Sequence, residues 1–137
     1  MPAAKAIRTV KTRSEEIINE WVGQIARDQR LVWLKEVPEW RLRAFGLAVL
    51  SRLISRMEGT DGITSKHFRH LGHVRFRQWV PAPELVRCLQ MLRRAVLASS
   101  DTGLVRGARF LHPDAAEFRA RTHRFFDDFV QWLVWDC

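Results

Sequence analysis

The sequence encodes an all-α protein, a single-domain bundle of about five helices. Apolar residues recur at helical spacing in every long segment, and no run of strict alternation marks a strand. Prolines open the apolar stretches and glycines close them, as helix boundaries require. A chain of 137 residues is the length of one domain with its own core. It contains no internal repeat and no low-complexity segment.

Residues 1–11 are expected to form a frayed arm. The first helix runs from about Arg13 to Asp28, with Thr12 as N-cap and Glu15 closing a capping box. Ile18, Trp21, Val22 and Ile25 form its buried stripe. Asp28 to Val37 is a connector. Its Leu31, Val32, Trp33 and Leu34 are too apolar to be left in water, so they are predicted to pack as an irregular turn or short helix.

The second helix opens near Pro38, a residue suited to the first turn because it lacks only a donor that would go unused. Trp40, Phe45, Val49, Leu50, Leu53, Ile54 and Met57 make its buried stripe, and Gly59 stops it. Gly46 lies inside this helix at a cost of up to ~1 kcal/mol relative to Ala. That cost predicts a close helix crossing there.

The third helix runs from about Ser65 to Trp79. The fourth begins at Pro81 to Glu84 and runs to Ala98. Leu85, Leu89, Leu92 and Val96 line one face of it, and Arg87, Gln90 and Arg94 line the opposite one. Ser99 to Gly103 ends it, opening a loop over residues 99–112. Pro113 starts the fifth helix, which runs towards Trp135.

The fifth helix carries Phe118, Phe125, Phe129 and Trp132 on one stripe, with Phe126, Val130, Leu133 and Val134 on the next. That arc is wide for a helix facing one core. Either the helix is central and buried on most sides, or part of it meets a second copy of the protein. On the second reading Phe125, Phe129 and Trp132 are the dimer seam. The chain has six Trp and eight Phe but no Tyr, a composition suited to dry, ring-rich packing.

The net charge is +8, from 23 Lys plus Arg against 15 Asp plus Glu. The excess is concentrated in residues 61–100, where Lys66, Arg69, Arg75, Arg77, Arg87, Arg93 and Arg94 face only Asp61 and Glu84. Arg75, Arg87 and Arg94 are the candidates for docking an acidic partner or an anion. The Val80-Pro81-Ala82-Pro83 connection is stiffer than a helix-turn-helix turn, so nucleic acid is not the favoured partner.

Cys88 and Cys137 do not make a disulfide framework, which fits a reducing compartment. Cys88 stands beside Leu85 and Leu92 and is expected to be a buried structural thiol. No signal-peptide core and no membrane-length apolar run is present, so the expectation is a cytoplasmic protein with no membrane partner.

No Gly-rich phosphate loop, nucleophile elbow, zincin motif or kinase signature occurs, and the chain is read as a non-enzyme with no cofactor. His67, His70 and His73 fan around a helix over too wide an arc for a tight metal site, and no Cys or carboxylate converges on them in sequence. The alternative reading is a small-ligand, haem or metal-binding protein that uses one of these histidines or His123. Asp127 and Asp128 stand at i+3 and i+4 from Arg124 and are expected to pair with it.

Five short patterns occur in order along the chain. They are Ile17-Ile18-x-x-Trp21, Gly72-x-x-Arg75-x-x-Gln78, Val80-Pro81-x-x-Glu84-Leu85-Val86, Leu92-Arg93-Arg94 and His123-Arg124-Phe125-Phe126-Asp127-Asp128. Together they resemble the amino-terminal domain of RsbT co-antagonist (RsbR-type) proteins and related sensor histidine kinases, over roughly residues 14–135. Trp79 stands where that pattern commonly has Gly. The resemblance implies a globin-like helical domain without haem that forms homodimers. It also implies a stress-signalling partner: a kinase, a phosphatase or an anti-sigma system. In such proteins an output domain follows; none is encoded in these residues, so the expectation is a stand-alone domain that acts on partners in trans.

Overall fold

Every regular element of the structure, a computed structural model, is helical; it describes residues 4–59, 80–103 and 113–135, with side chains over 5–59, 80–100 and 116–131. Among these residues the order is α1 (Ala4–Thr12), α2 (Ser14–Arg27), a 3-10 turn (Leu34–Glu36), α3 (Glu39–Glu58), α4 (Ala82–Gly103) and α5 (Pro113–Trp135). The all-α expectation holds. The helix predicted over Ser65 to Trp79 lies outside the described residues.

A helix, α1, occupies the position of the expected frayed arm. Ala6, Ile7 and Val10 recur at helical spacing and are buried in the core, and that burial stabilises so short a helix where propensity alone does not. The predicted capping box is absent. Thr12 is the last residue of α1, and Arg13 follows with φ −101° and ψ 17° and no side-chain cap. The hydrogen-bond ladder nearly continues across the junction. Arg13 N–H donates to Thr9 O (3.0 Å) and Ile17 N–H to Arg13 O (2.9 Å). The Ser14 hydroxyl donates back to the carbonyls of Val10 and Lys11. The junction thus satisfies carbonyls at the end of α1 and the Ile17 N–H of α2 without a capping side chain.

α2 buries Ile17, Ile18, Trp21, Val22 and Ile25, as its periodicity predicts. Its central contact is with α3 at Gly46. A Cβ there would stand 2.7 Å from both Ile18 Cδ1 and Trp21 Cζ3, so only glycine lets the helices approach this closely. The Trp21 Nε1–H donates to the Cys88 carbonyl of α4 (2.8 Å) and is fully buried. One indole thus sets the spacing of three helices.

α3 ends at Gly59, whose φ of 72° is the left-handed conformation expected of a glycine stop. Arg121 of α5 donates to the Met57 carbonyl (2.9 Å), and Lys11 of α1 pairs with Glu58 (3.1 Å). The predicted stripe of α3 is buried except at Trp40, which is 65% exposed. Trp40 lies in the first turn, where Arg41 rides over its ring at 5.4 Å.

α4 buries Leu85, Leu89, Leu92 and Val96 as expected. It does not stop at Ser99, however, and runs through to Gly103. Ser100 bonds its own turn, Oγ to Leu97 O at 3.0 Å, and so does not break the helix. α5 matches its predicted span. Phe118, Phe125, Phe126 and Phe129 are all buried on it. Phe129 meets Phe45 of α3 edge-on, with centroids 6.4 Å apart and planes at 85°.

Candidate interaction surface

Arg87, Met91, Arg94 and Ala98 fall on one face of α4 at helical spacing, and Arg13, Ile17, Glu20, Gln24 and Asp28 follow a matching line along α2. α4 packs against α2 so that these two lines border one groove of about 640 Å³. Ile17, Met91 and Ala95 are its buried apolar floor. The rails differ in sign. α2 and its C-cap supply Glu16, Glu20 and Asp28, beside Arg13 at the N-cap, and α4 supplies Arg87 and Arg94.

One end is closed by an ion pair. Arg87 Nε donates to Asp28 Oδ2 at 2.7 Å, and the Asp28 side chain is only 13% exposed. Asp28 Oδ1 also accepts the Arg30 backbone N–H at 2.9 Å. That backbone N–H first, and the Arg87 guanidinium second, hold the Asp28 carboxyl below the usual carboxylate range. At the other end Arg13 pairs with Glu16 (2.9 Å). Gln24 donates to Glu20 between them (3.1 Å). Arg94 is exposed and has no ion-pair partner among the described residues. The buried Ser99 hydroxyl oxygen on the groove wall is likewise without a hydrogen bond there.

Of the three arginines predicted to dock a partner, Arg87 and Arg94 therefore share one groove, and Arg75 lies outside the described residues. Arg87 is committed to Asp28, which leaves Arg94 as the available cation of the three among the described residues. The sequence reading missed the acidic rail of α2. Its signal was Glu16, Glu20, Gln24 and Asp28 at steps of four, legible as a polar stripe but not as the wall of a groove.

The predicted dimer seam is corrected. Phe125 and Phe129 are 1% and 0% exposed. The aromatic cluster with Phe45 and Phe126 and the Arg56 guanidinium 5.9 Å above the Phe125 ring enclose them within their own chain. They offer no surface to a second copy. The side chain of Trp132 lies outside the described residues.

The expected pairing of Arg124 with Asp127 and Asp128 is also replaced. Asp127 takes Arg93 of α4 (2.8 Å) and Asp128 takes Arg56 of α3 (2.9 Å). The helices flanking α5 bring guanidiniums to both carboxylates. His123 has the Arg93 guanidinium 3.5 Å from its Nδ1. A ligating histidine has its second nitrogen oriented by a carboxylate or carbonyl, so this neighbour does not set His123 up as a metal or haem ligand. His67, His70 and His73 lie outside the described residues. Among the described residues no group of three or more His, Cys, Asp or Glu converges as metal ligands do. Cys88 is buried, as expected, and its Sγ contacts the Leu85 carbonyl at 3.2 Å. Burial first, and the nearby Glu84 charge second, push its thiol pKa far up. No helix among the described residues is long and apolar enough to cross a membrane.

Compared with protein-family models, curated proteins and solved structures, the chain has no match in any of the three.

Proposed function

We propose that this chain is a non-enzymatic, cytoplasmic signal-transduction module, a domain of the RsbR amino-terminal type in its globin-like, haem-free form. It works through protein–protein contacts with a kinase, phosphatase or anti-sigma system and through self-association. The observation that carries this reading is the α2–α4 groove, with an acidic rail, a basic rail and, among the described residues, one arginine without an ion-pair partner, Arg94. A partner segment seated there touches both helices at once.

The mechanism follows from the packing. α2 and α4 share the Trp21–Cys88 hydrogen bond, and α2 and α3 share the Trp21–Gly46 contact. An occupant that changes the α2–α4 spacing must move Trp21, and Trp21 has no slack against α3. Partner binding thus selects between two packings of the bundle rather than bending one of them. Self-association uses surface other than Phe125 and Phe129.

Light scattering from low to high micromolar concentration, with co-elution from a purified switch kinase or phosphatase, tests the reading. The expected results are a dimer and a complex that Arg94→Glu weakens. A monomer at every concentration together with an unchanged Arg94→Glu complex overturns it.

A further inference from the structure

The connector between α2 and α3 combines burial and exposure in alternation. Leu31, Leu34 and Val37 are anchored in the core, while Val32, Trp33 and Trp40 are 63%, 56% and 65% exposed. These are the large hydrophobic side chains left in solvent among the described residues, and they fall within one short stretch. The stretch is held firmly. Trp33 N–H donates to Glu84 Oε1 and Oε2 (3.0 and 3.2 Å), and Leu34 N–H to Glu84 Oε1 (3.0 Å). The Asp28–Arg87 pair ties down its start, and Arg41 covers part of the Trp40 ring. A backbone fixed in advance loses little entropy when something binds to it.

Charge and size narrow the occupant. Asp28 and Glu39 are neutralised by Arg87 and Arg43. Arg27, Arg30 and Lys35 are exposed with no ion-pair partner among the described residues, against Glu36 and the Glu84 carboxylate that holds the Trp33 and Leu34 N–H groups. The frame around the indoles is therefore positive. Two indoles and a valine offer on the order of a few hundred Å², whereas a stable protein dimer buries roughly 800 Å² on each side. Among the described residues the exposed apolar surface is smaller than one side of a stable dimer, and it fits a short segment.

We propose that residues 32–40 are a docking surface for a short acidic segment of a partner protein, its apolar side chains against Trp33 and Trp40 and its carboxylates on Arg30 and Lys35. This rests on reading the chain as a protein-contact module and gives it a second surface, adjoining the Asp28–Arg87 end of the groove.

The test is fluorescence anisotropy with a dye-labelled synthetic peptide of Glu, Asp, Leu and Phe, alongside its lysine-substituted counterpart and phosphatidylserine vesicles. The acidic peptide is expected to bind and the lysine peptide not to. Trp33→Ala and Trp40→Ala are each expected to weaken binding by about 10-fold or more, and Arg30→Glu with Lys35→Glu is expected to abolish it. Arg94→Glu is expected to leave it unchanged. Both tryptophans are exposed, so circular dichroism of the variants should match wild type. No binding of the acidic peptide, or binding indifferent to both Trp variants, overturns the proposal. So does binding to vesicles alone that the Trp variants abolish, because it assigns the surface to lipid. If Arg94→Glu weakens the partner complex while the Trp variants have no effect, this surface fails and the groove reading stands; the converse pattern removes only the groove.

Discussion

The ring of Trp21 rests on the backbone of Gly46, with Trp21 Cζ3 2.7 Å from where a Cβ on Gly46 would stand. The ring cannot give way easily, because its Nε1–H is bonded to the Cys88 carbonyl on its far side. Gly46→Ala gains up to ~1 kcal/mol of helix propensity but forces apart a closely packed crossing, at about 1–3 kcal/mol. The expected outcome is net destabilisation, measured by urea unfolding. An alanine variant as stable as wild type would mean that the crossing is looser than described.

Thr122 is fully buried, and its hydroxyl oxygen has no hydrogen-bond partner among the described residues. A buried donor left unpaired costs free energy, whereas an apolar group of the same shape does not. Thr122→Val is expected to be neutral or to stabilise by up to about 1 kcal/mol. A clear loss in denaturant midpoint would show that the hydroxyl is bonded.

The Asp28–Arg87 pair makes stability depend on acid. The carboxyl has a lowered pKa in the fold. Its contribution is therefore present above the unfolded value of about 4 and is lost as pH falls through the folded one. The stability difference between wild type and Asp28→Asn is expected to be present at neutral pH and to shrink below about pH 4. A gap that persists undiminished into strong acid would contradict this assignment.

Cys88 has a buried thiol whose pKa is pushed up, so the reactive thiolate is scarce at neutral pH. In a Cys137→Ser background, maleimide labelling is expected only as fast as the protein unfolds. Rapid labelling in native buffer would place the sulfur at the surface.

Phe129 is fully buried against Phe45 and Phe125. Phe129→Ala is expected to cost about 3–5 kcal/mol through cavity formation. Phe129→Leu, a milder change, is expected to leave the oligomeric state as it is in wild type. If Phe129→Leu dissolved an oligomer without lowering stability, the residue would belong to an interface after all.

Periodicity carried the helices well. The stripes of α2, α4 and α5, the Gly59 stop and the role of Gly46 were all legible, because helical spacing and glycine stereochemistry act locally. The frayed-arm expectation failed because a short apolar stripe such as Ala6, Ile7 and Val10 becomes a helix only when a core is there to receive it. The candidate site was half legible. Arg87 and Arg94 share a face by spacing alone, but their opposite wall belongs to α2, and spacing within one helix cannot reveal its neighbour.

The sequence by itself determined which residues lie on a common helical face and where several helices stop, since both follow from backbone geometry over a few residues. Only the tertiary structure decided which of those faces are covered. It enclosed Phe125 and Phe129 within their own chain, left Trp33 and Trp40 in solvent, and gave Asp127 and Asp128 to arginines on other helices. Burial and long-range ion pairs are set by what packs alongside a helix, and that depends on the path of the whole chain.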